Sequence, residues 1–409
     1  MVTASCPGKV LITGGYLVLQ HPNSGLVLPL SARFHSSVTD ASESATIRVR
    51  APQRYGDSAE LVYTFSAEND ALRLTQETAG DNSVREDNKF VRFSLLFSLG
   101  VLQLLKGNLR GLQIDLRGDD AFYTGEGGKT GLGSSAALCS SLVAALFAQH
   151  LPGEYPAGTH LDLQYRDIAH RVAQVAHCAA QGKVGSGFDV AAAFFGAQRY
   201  VRLRPCFLMP LLELAGAGTE LSLTTLSSLL LETDWEWQVQ PFALPDSLTV
   251  VLADVFGGSE TPSMVRKVLA WRDSGDEAQC KWRHVAHCNA HIDACFDRLR
   301  SADSDDTDEL SAAFVQWNDA MKDMGDSAQV PVVPSEQLPL LSAVRALDGV
   351  VACGVPGAGG YDAIFVLCRT ETVDSVRQQL RSLRGESGQQ LKVAPLDVHY
   401  DAAGVLLQD

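Results

Sequence analysis

The sequence predicts an α+β protein of two domains that face each other across a cleft. Strand-like runs alternate with helix-like periodicities in both halves of the chain. The 409 residues, 46% of them hydrophobic, are enough to bury two cores. The prolines at 205 and 210 suggest a boundary. We therefore expect an N-terminal domain over residues 1–207 and a C-terminal domain over residues 208–409.

Each element of the first half follows from a local pattern. Residues 134–149 should form a helix, because a serine suited to N-capping precedes an Ala/Leu-rich interior. Residues 165–180 should form another, because apolar residues recur at three- and four-residue spacing. A short helix is expected at 190–195. Alternating residues predict strands at 45–49, 61–65 and 107–116, and a further strand is expected at 199–203. Residues 10–12 and 16–19 are short apolar runs on either side of Thr13-Gly14-Gly15.

The second half follows the same alternation. Helical periodicity predicts helices over residues 263–299 and 372–383, and the acidic stretch 301–308 is expected to be a solvated loop. The Leu/Ser/Thr-rich residues 212–233 match no element. Strands are predicted at residues 247–254, 350–353, 363–368 and 391–398.

Composition restricts the classes of function. The net charge is −15 and the pI about 5.1, which argues against nucleic acid or an acidic membrane as partner. The nine cysteines are an odd, scattered set, and we expect reduced thiols. The chain begins with an apolar run and no charged leader, and its longest apolar stretches are too short to span a bilayer. We expect a cytoplasmic protein.

The run KTGLGSSAA at residues 129–137 is the most informative motif. Glycines allow close backbone approach, and a helix start offers unpaired N–H groups and a positive dipole end, which together favour phosphate. A serine hydroxyl there can also hold Mg²⁺. The Walker pattern is absent, and the simpler alternative is a capped glycine turn. We expect seven residues to bind ATP phosphates: Lys129, Gly131, Leu132, Gly133, Ser134, Ser135 and Ala136.

Two further glycine-rich stretches carry lysines. In QGKVGSGFD, Asp189 could merely cap a helix, but the glycines and Lys183 beside it favour a site residue that positions a nucleophile or takes its proton. In SCPGKV, Lys9 could be a solvated lysine, or it could reach into a cleft and pair with Asp189. We place Lys9 and Asp189 as catalytic residues. Lys9, Lys183, Ser186 and Gly187 are predicted to bind the acceptor.

Other motifs have alternatives of differing weight. The loop 354–362 holds four glycines within seven residues, which suggests close approach to a ligand or to the phosphate loop, and we include Gly359 in the acceptor site. Ser259 and Thr261 could donate hydroxyls to the acceptor or cap the helix that follows. The Cys/His-rich stretch 280–295 lacks paired zinc knuckles, so a polar helix face is favoured over zinc. A hydrolase is disfavoured, because no G-x-S-x-G elbow is present and no histidine is placed to accept a serine proton.

The number of lysines indicates the kind of acceptor. Lys9, Lys129 and Lys183 each accompany one glycine loop. Bringing two polyanions together in a cleft is costly unless cations offset their charge. A kinase acting on a plain alcohol would need fewer cations, so a phosphorylated acceptor is favoured.

Together these motifs resemble the GHMP kinase superfamily of ATP-dependent small-metabolite kinases. Its three motifs correspond to PGKV at 7–10, GLGSSAA at 131–137 and GAGG at 357–360. Within it the chain is similar to phosphomevalonate kinases of the fungal and plant type, through residues 129–137, 176–196, 257–271 and 354–363. One position departs from the mevalonate kinases, which carry a Mg²⁺-binding carboxylate where this chain has Cys178, next to His177.

The resemblance implies a fold and an activity. It implies a left-handed βαβ N-terminal domain and a ferredoxin-like C-terminal domain with the site between them. The expected reaction uses MgATP to convert (R)-5-phosphomevalonate to 5-diphosphomevalonate in isoprenoid and sterol synthesis. Mg²⁺ would rest on Ser135 and a second ligand not yet identified, in a monomer or homodimer. The alternatives are mevalonate kinase or another GHMP kinase, and a non-catalytic nucleotide sensor on the same fold.

Overall fold

The computed structural model describes the chain apart from residues 44, 79–82, 85, 124–129, 152–162, 217, 256–260, 302–305, 385–390 and 409, and apart from the side chains of residues 163, 164, 261 and 262. The strands of the described part are β1 Val2–Leu11, β2 Ser24–Asp40, β3 Thr46–Arg50, β4 Glu60–Glu68, β5 Ala71–Glu77, β6 Leu112–Gly118, β7 Gln198–Val201, β8 Glu220–Ser222, β9 Leu248–Asp254, β10 Val350–Gly354, β11 Ala363–Arg369, β12 Ala394–Pro395 and β13 Leu406–Gln408.

The helices of the same residues complete the fold. They are α1 Pro52–Tyr55, α2 Lys89–Lys106, α3 Ser134–His150, α4 Leu163–Gln181, α5 Phe188–Phe195, α6 Pro205–Ala215, α7 Leu223–Leu226, α8 Thr261–Arg272, α9 Asp276–Ser301, α10 Asp308–Ser327, α11 Leu338–Arg345 and α12 Val373–Arg381.

The first unit is built on a mixed sheet in which β1 and β2 form the central pair. Its order is β13-β1-β2-β6-β3-β4-β5-β8, with β7 pairing with β2. Apart from the parallel pair β3–β6, neighbouring strands run antiparallel. The helices α3 and α5 pack on β1 and β2, and α3 is apolar nearly all round because it is buried between the sheet and other helices. The ends of β1 and the starts of α3 and α5 are therefore fixed together.

The second unit has its own sheet, in the order β10-β11-β9-β12. Each of its strand pairs runs antiparallel. The long helices α9 and α10 pack against each other, and α10 also packs on β10. This unit confirms the prediction of a second α+β domain.

The two units meet beside the end of β1. Gly357 donates its N–H to the Leu11 carbonyl at 2.9 Å, and the Tyr16 hydroxyl donates to the Ala358 carbonyl at 2.7 Å. Farther along the junction, Arg199 of β7 pairs with Asp293 of α9 at 3.3 Å. The third glycine-rich loop, residues 354–360, therefore belongs to the junction.

Strand pairing does not follow the division predicted at residue 207. The strand β8, which follows that position, extends the first sheet, and the C-terminal strand β13 pairs with β1. Residues 205–210, predicted as a boundary, lie within α6, where Pro205 takes the first helical position and Pro210 is interior. The C-terminal strand escaped prediction because its partner strand lies at the opposite end of the chain, with Thr3 opposite Gln408.

Several local predictions need correction. Residues 391–398 were predicted as a strand, but only Ala394–Pro395 pairs. The helical region 263–299 consists of two helices, α8 and α9. Among the described residues, none of the helices combines the length with the apolar character that a membrane crossing requires.

Candidate active site

The first motif lies directly against the second. In β1, the Lys9 N–H donates to the Leu132 carbonyl at 2.9 Å. Gly8 permits this approach, because a Cβ there would lie 3.0 Å from the Leu132 carbonyl oxygen and from the Phe122 ring. The loop before α3 is therefore held to β1 by backbone contact, which brings Lys9 to the start of α3.

The start of α3 has no side-chain cap. Its N-cap is Gly133, which has a left-handed φ of 85°. Ser134 was predicted as the N-cap but is the first helical residue. A Cβ on Gly131, whose φ is 74°, would meet nothing within 4 Å. This helix start therefore presents unpaired N–H groups beside open space, as an anion-binding site requires.

The Lys9 ammonium lies between the two helix starts. Its Nζ donates to the Gly131 carbonyl at 3.1 Å and lies 5.4 Å from the centroid of the Phe188 ring. Gly133 makes room for this side chain, because a Cβ there would be 3.0 Å from the lysine Cε. Burial lowers the pKa of Lys9, and the charge of Asp189 acts in the opposite direction.

The expected direct ion pair between Lys9 and Asp189, both of which are described, is not formed. Asp189 lies in the first turn of α5, and its carboxylate accepts from the Val190 N–H at 3.0 Å. Burial lowers the pKa values of Lys9 and His177, and the charge of Asp189 opposes that lowering at both groups. Asp189 is therefore not needed as the helix cap, which is Gly187, and it interacts with the lysine through its field.

The loop before α5 is tightly held. The Tyr200 hydroxyl donates to the Ser186 carbonyl at 2.6 Å, and Arg202 donates to the carbonyls of Val184 and Gly185 at 3.3 and 2.7 Å. Gly187 has a φ of 84°, and a Cβ there would lie 2.7 Å from Gln174 Oε1. These contacts fix the predicted acceptor residues Ser186 and Gly187.

Lys183 belongs to the loop before α5, and Cys178 of α4 contacts the same loop. Lys183 is exposed. Burial lowers the pKa of His177, and the positive charge of Lys183 acts in the same direction. Cys178 is buried, and its sulfur accepts from Gln174 Nε2 at 3.3 Å and from the Gly185 N–H at 3.4 Å. Burial raises the pKa of this thiol. Cys178 therefore supports the loop from behind.

A histidine that the sequence did not place near this loop lies beside Ser135, at the start of α3. His177 Nε2 lies 3.1 Å from Ser135 Oγ, although the two residues are 42 positions apart. This corrects the expectation that no histidine is placed near these serines. The sequence signal for His177 was its place next to Cys178, the position already singled out for a metal-binding carboxylate. Helical periodicity puts residues 174, 177, 178 and 181 on one face.

Several predicted site residues cannot be placed. Lys129 and Ser259 lie outside the described residues, and Thr261 begins α8 with a side chain that is not described. Gly359 lies in the loop at the junction of the units, where a Cβ would be 2.0 Å from the Val332 carbonyl oxygen. Its lack of a side chain has a packing reason, and its predicted contact with the acceptor stays a prediction.

The Cys/His-rich stretch lies on α9, away from these loops. His291 Nε2, Cys295 Sγ and a carboxylate oxygen of Glu309 lie within 4.8 Å of one another. Arg298 donates to Glu309 at 2.6 Å and to the Cys295 sulfur at 3.3 Å, so a cation already compensates this cluster. The polar-face interpretation and the zinc alternative both stay predictions.

Comparisons with known proteins agree with these observations. Two family models match the chain: the GHMP kinases N terminal domain at residues 102–197 and the GHMP kinases C terminal domain at residues 310–384. The first match spans the phosphate loop, α3, α4, the loop before α5, and α5 itself.

Curated relatives cover nearly the whole chain. A phosphomevalonate kinase of Gibberella zeae is 32% identical, over 96% of this chain and 94% of its own length. A peroxisomal phosphomevalonate kinase of Arabidopsis thaliana is 30% identical, over 90% and 89%. Among solved structures, the phosphomevalonate kinase of Streptococcus pneumoniae in complex with phosphomevalonate and AMPPNP has a TM-score of 0.67 at 14% identity, over 98% of this chain and all of that one.

Proposed function

The chain belongs to the phosphomevalonate kinase family, and on that premise we propose how its residues perform the reaction. It is an ATP-dependent kinase that transfers the terminal phosphoryl group of ATP to the phosphate of (R)-5-phosphomevalonate, giving 5-diphosphomevalonate and ADP in the mevalonate pathway. The observation that carries the assignment of roles is Lys9, which lies between the start of α3 and the start of α5.

The donor lies at the start of α3. The uncapped N–H groups of this helix and the open face of Gly131 support binding of the ATP phosphates there. Gly131 to Ala136 supply backbone contacts, and Lys129 adds a positive charge from the same loop. The Lys9 ammonium, between the donor and the acceptor loop, stabilises the charge that develops on the transferring group.

The residues at this loop also fit Mg²⁺. The Ser135 hydroxyl is a hard oxygen ligand at the phosphate loop, and Mg²⁺ in kinases rests on few protein ligands plus phosphates and water. Cys178 does not fit as a Mg²⁺ ligand, because its thiol is soft and already accepts hydrogen bonds from Gln174 and Gly185. Bound there, Mg²⁺ would offset phosphate charge. Ser135 is accordingly the protein ligand we assign.

The acceptor lies at the loop before α5. Lys183, Ser186 and Gly187 line this side, and Lys9 completes it. A phosphate monoester has its second pKa near about 6 and is already ionised at neutral pH, so it needs little help from a base. Asp189 therefore mainly orients the acceptor and sustains the charge of Lys9, because burial lowers the pKa of this lysine and the carboxylate opposes that lowering. Ser259 and Thr261 are proposed to add hydroxyl donors from the second unit.

One assay tests the function. ADP release is measured with mevalonate, phosphomevalonate and diphosphomevalonate as acceptors. Turnover with phosphomevalonate alone supports the proposal, whereas turnover with mevalonate would indicate a mevalonate kinase. ATP binding without turnover on any of the three would favour the nucleotide sensor.

Location and assembly are proposed separately. We place the enzyme in the cytoplasm as a monomer or homodimer, although the Arabidopsis relative is named as peroxisomal. Fractionation of cells that make the tagged full chain tests the location, and light scattering tests the assembly. Recovery of the chain in an organelle fraction would overturn the first assignment.

A further inference from the structure

His177 has no role in the reaction as proposed, yet it touches the residue that we assign to Mg²⁺. It belongs to α4 and is 3% exposed. Its ring packs against Phe90 with centroids 5.7 Å apart. Its Nε2 lies 3.1 Å from the Ser135 hydroxyl oxygen. A buried polar ring aimed at this hydroxyl is an interaction that packing alone does not require.

The neighbours of His177 fix the direction of this hydrogen bond. Gln181, one turn later on α4, places its amide nitrogen 3.1 Å from the same Nε2. An amide nitrogen can only donate, so His177 Nε2 carries a lone pair and no proton. The Ser135 hydroxyl therefore donates to His177 and shares the one Nε2 lone pair with the Gln181 amide, while both lone pairs of the hydroxyl oxygen remain free for another partner.

We propose that His177 is a positioning residue that accepts the Ser135 hydroxyl proton and thereby turns the oxygen lone pairs toward Mg²⁺ at the phosphate loop. The inference rests on the proposed function, which assigns the metal to Ser135. A serine hydroxyl rotates freely unless a neighbour fixes its hydrogen. Groups behind a metal ligand commonly set its orientation in this way.

The contacts of two consecutive residues of α4 support this role. Cys178 faces Gly185 and Gln174, on the side of the acceptor loop. The next residue toward the N-terminus, His177, faces Ser135. Consecutive positions of one helix thus serve the two loops, the thiol supporting the acceptor loop and the imidazole orienting the donor side. A helix that supplies no carboxylate at residue 178 can still contribute to metal binding through Ser135.

The test measures how strongly Mg²⁺ improves ADP binding. The dissociation constant of ADP is determined by calorimetry with and without Mg²⁺, in the full chain and without acceptor. We expect His177→Leu to reduce the Mg²⁺-dependent gain in affinity by about 10-fold, in line with losses for groups behind metal ligands. Metal-free ADP binding should stay as in the parent protein. His177→Gln, whose amide oxygen can accept the same proton, should recover part of the gain.

Two controls separate positioning from general damage. His170 lies two turns earlier on α4, is 1% exposed and stacks on Trp237 with centroids 4.7 Å apart. We expect His170→Leu to leave the Mg²⁺-dependent gain unchanged. In a Ser135→Ala background, His177→Leu should cause no further loss, because the hydroxyl it orients is gone.

Two results would overturn the inference. One is a loss of ADP affinity that is equal with and without Mg²⁺. The other is a loss in the double variant that adds to that of Ser135→Ala. If His177→Leu does not fold, His177→Gln decides. A Mg²⁺-dependent gain in ADP affinity as small as that of Ser135→Ala would then show that the glutamine amide oxygen does not replace the imidazole as acceptor, and would contradict the inference. Since no acceptor is used, failure to phosphorylate phosphomevalonate would overturn the proposed function and leave this test intact.

Discussion

Two loops with left-handed glycines lead into helices at this site, and their surroundings differ. Before α3, Gly131 has a φ of 74° and open space where a Cβ would be. Before α5, Gly187 has a φ of 84° and lies against Gln174 and Tyr200. The first loop is held to β1 at Leu132 but leaves the Cβ side of Gly131 open to a ligand, whereas protein groups occupy the corresponding space at Gly187 in the second. A large, flexible nucleotide phosphate chain suits the open loop, and a small acceptor suits the rigid one.

Lys9 of β1 contacts both the loop before α3 and the start of α5, so its removal is expected to have the largest effect. Its Nζ contacts the carbonyl of Gly131 and lies over Phe188 of α5. We expect Lys9→Met to lower kcat by about 10³-fold, the upper range for loss of one preorganised donor. Steady-state ADP release measures this change. A rise in the KM of one substrate with kcat unchanged would instead assign Lys9 to a single loop.

The two glycines provide the next test. Gly131→Ala should lower the free energy of unfolding by about 1–2 kcal/mol, the cost of a left-handed conformation with a Cβ. Gly187→Ala carries the same cost, and its Cβ would also lie 2.7 Å from Gln174 Oε1 and 2.8 Å from the Tyr200 hydroxyl. We expect a total loss of about 3 kcal/mol, near the upper end for single substitutions. Urea unfolding measures both.

Because the two positions share nearly the same φ, each glycine is the matched control for the other. The difference between them isolates the packing of the second loop. Equal losses of stability would mean that Gln174 and Tyr200 yield without cost, and the contrast between an open and a held loop would then fail.

The sequence predicted the loop before α3 and the start of that helix better than the residues that surround them. Its glycines, serines and helix start are consecutive, so local spacing is informative: residues 134–149 were predicted as a helix, and α3 spans Ser134–His150. The N-cap was misassigned, because a serine's capping preference does not reveal that Gly133 adopts the left-handed conformation. His177 escaped notice because α3 and α4 must pack before it can meet Ser135.

Longer-range features were missed for the same reason. The 17-residue β2 and the pairing of β13 with β1 were not predicted, because strand partners are chosen by tertiary contact. The glycines of residues 354–360 were expected to approach a ligand or the phosphate loop. In the structure Gly357 meets Leu11, and a Cβ on Gly15 would lie 2.2 Å from its carbonyl oxygen. Sequence shows that a backbone needs close approach, but it does not identify the partner.

A substitution at Asp189, in the first turn of α5, tests how this side of the site acts on the acceptor. We expect Asp189→Asn to lower kcat by about 10- to 100-fold, at or below the lower end of the range for loss of a catalytic base, because a phosphate acceptor is already ionised at neutral pH. The carboxylate raises the pKa of Lys9 against the lowering by burial, so its removal lowers that pKa. The alkaline limb of the kcat/KM profile should therefore move to lower pH. An unmoved limb, or activity at the uncatalysed level with binding intact, would contradict this role.

The smallest effect is expected at Lys183, on the rim of the held loop. Its exposed ammonium can contact an acceptor phosphate, but water screens exposed charges. We expect Lys183→Ala to weaken phosphomevalonate binding by about 10-fold, or about 1.4 kcal/mol, and to change ATP binding much less. Separate titrations of each ligand measure this, with the exposed Lys106 at the end of α2 as matched control. If only ATP affinity falls, Lys183 serves the donor, and the division of the site into an open nucleotide loop and a held acceptor loop is wrong.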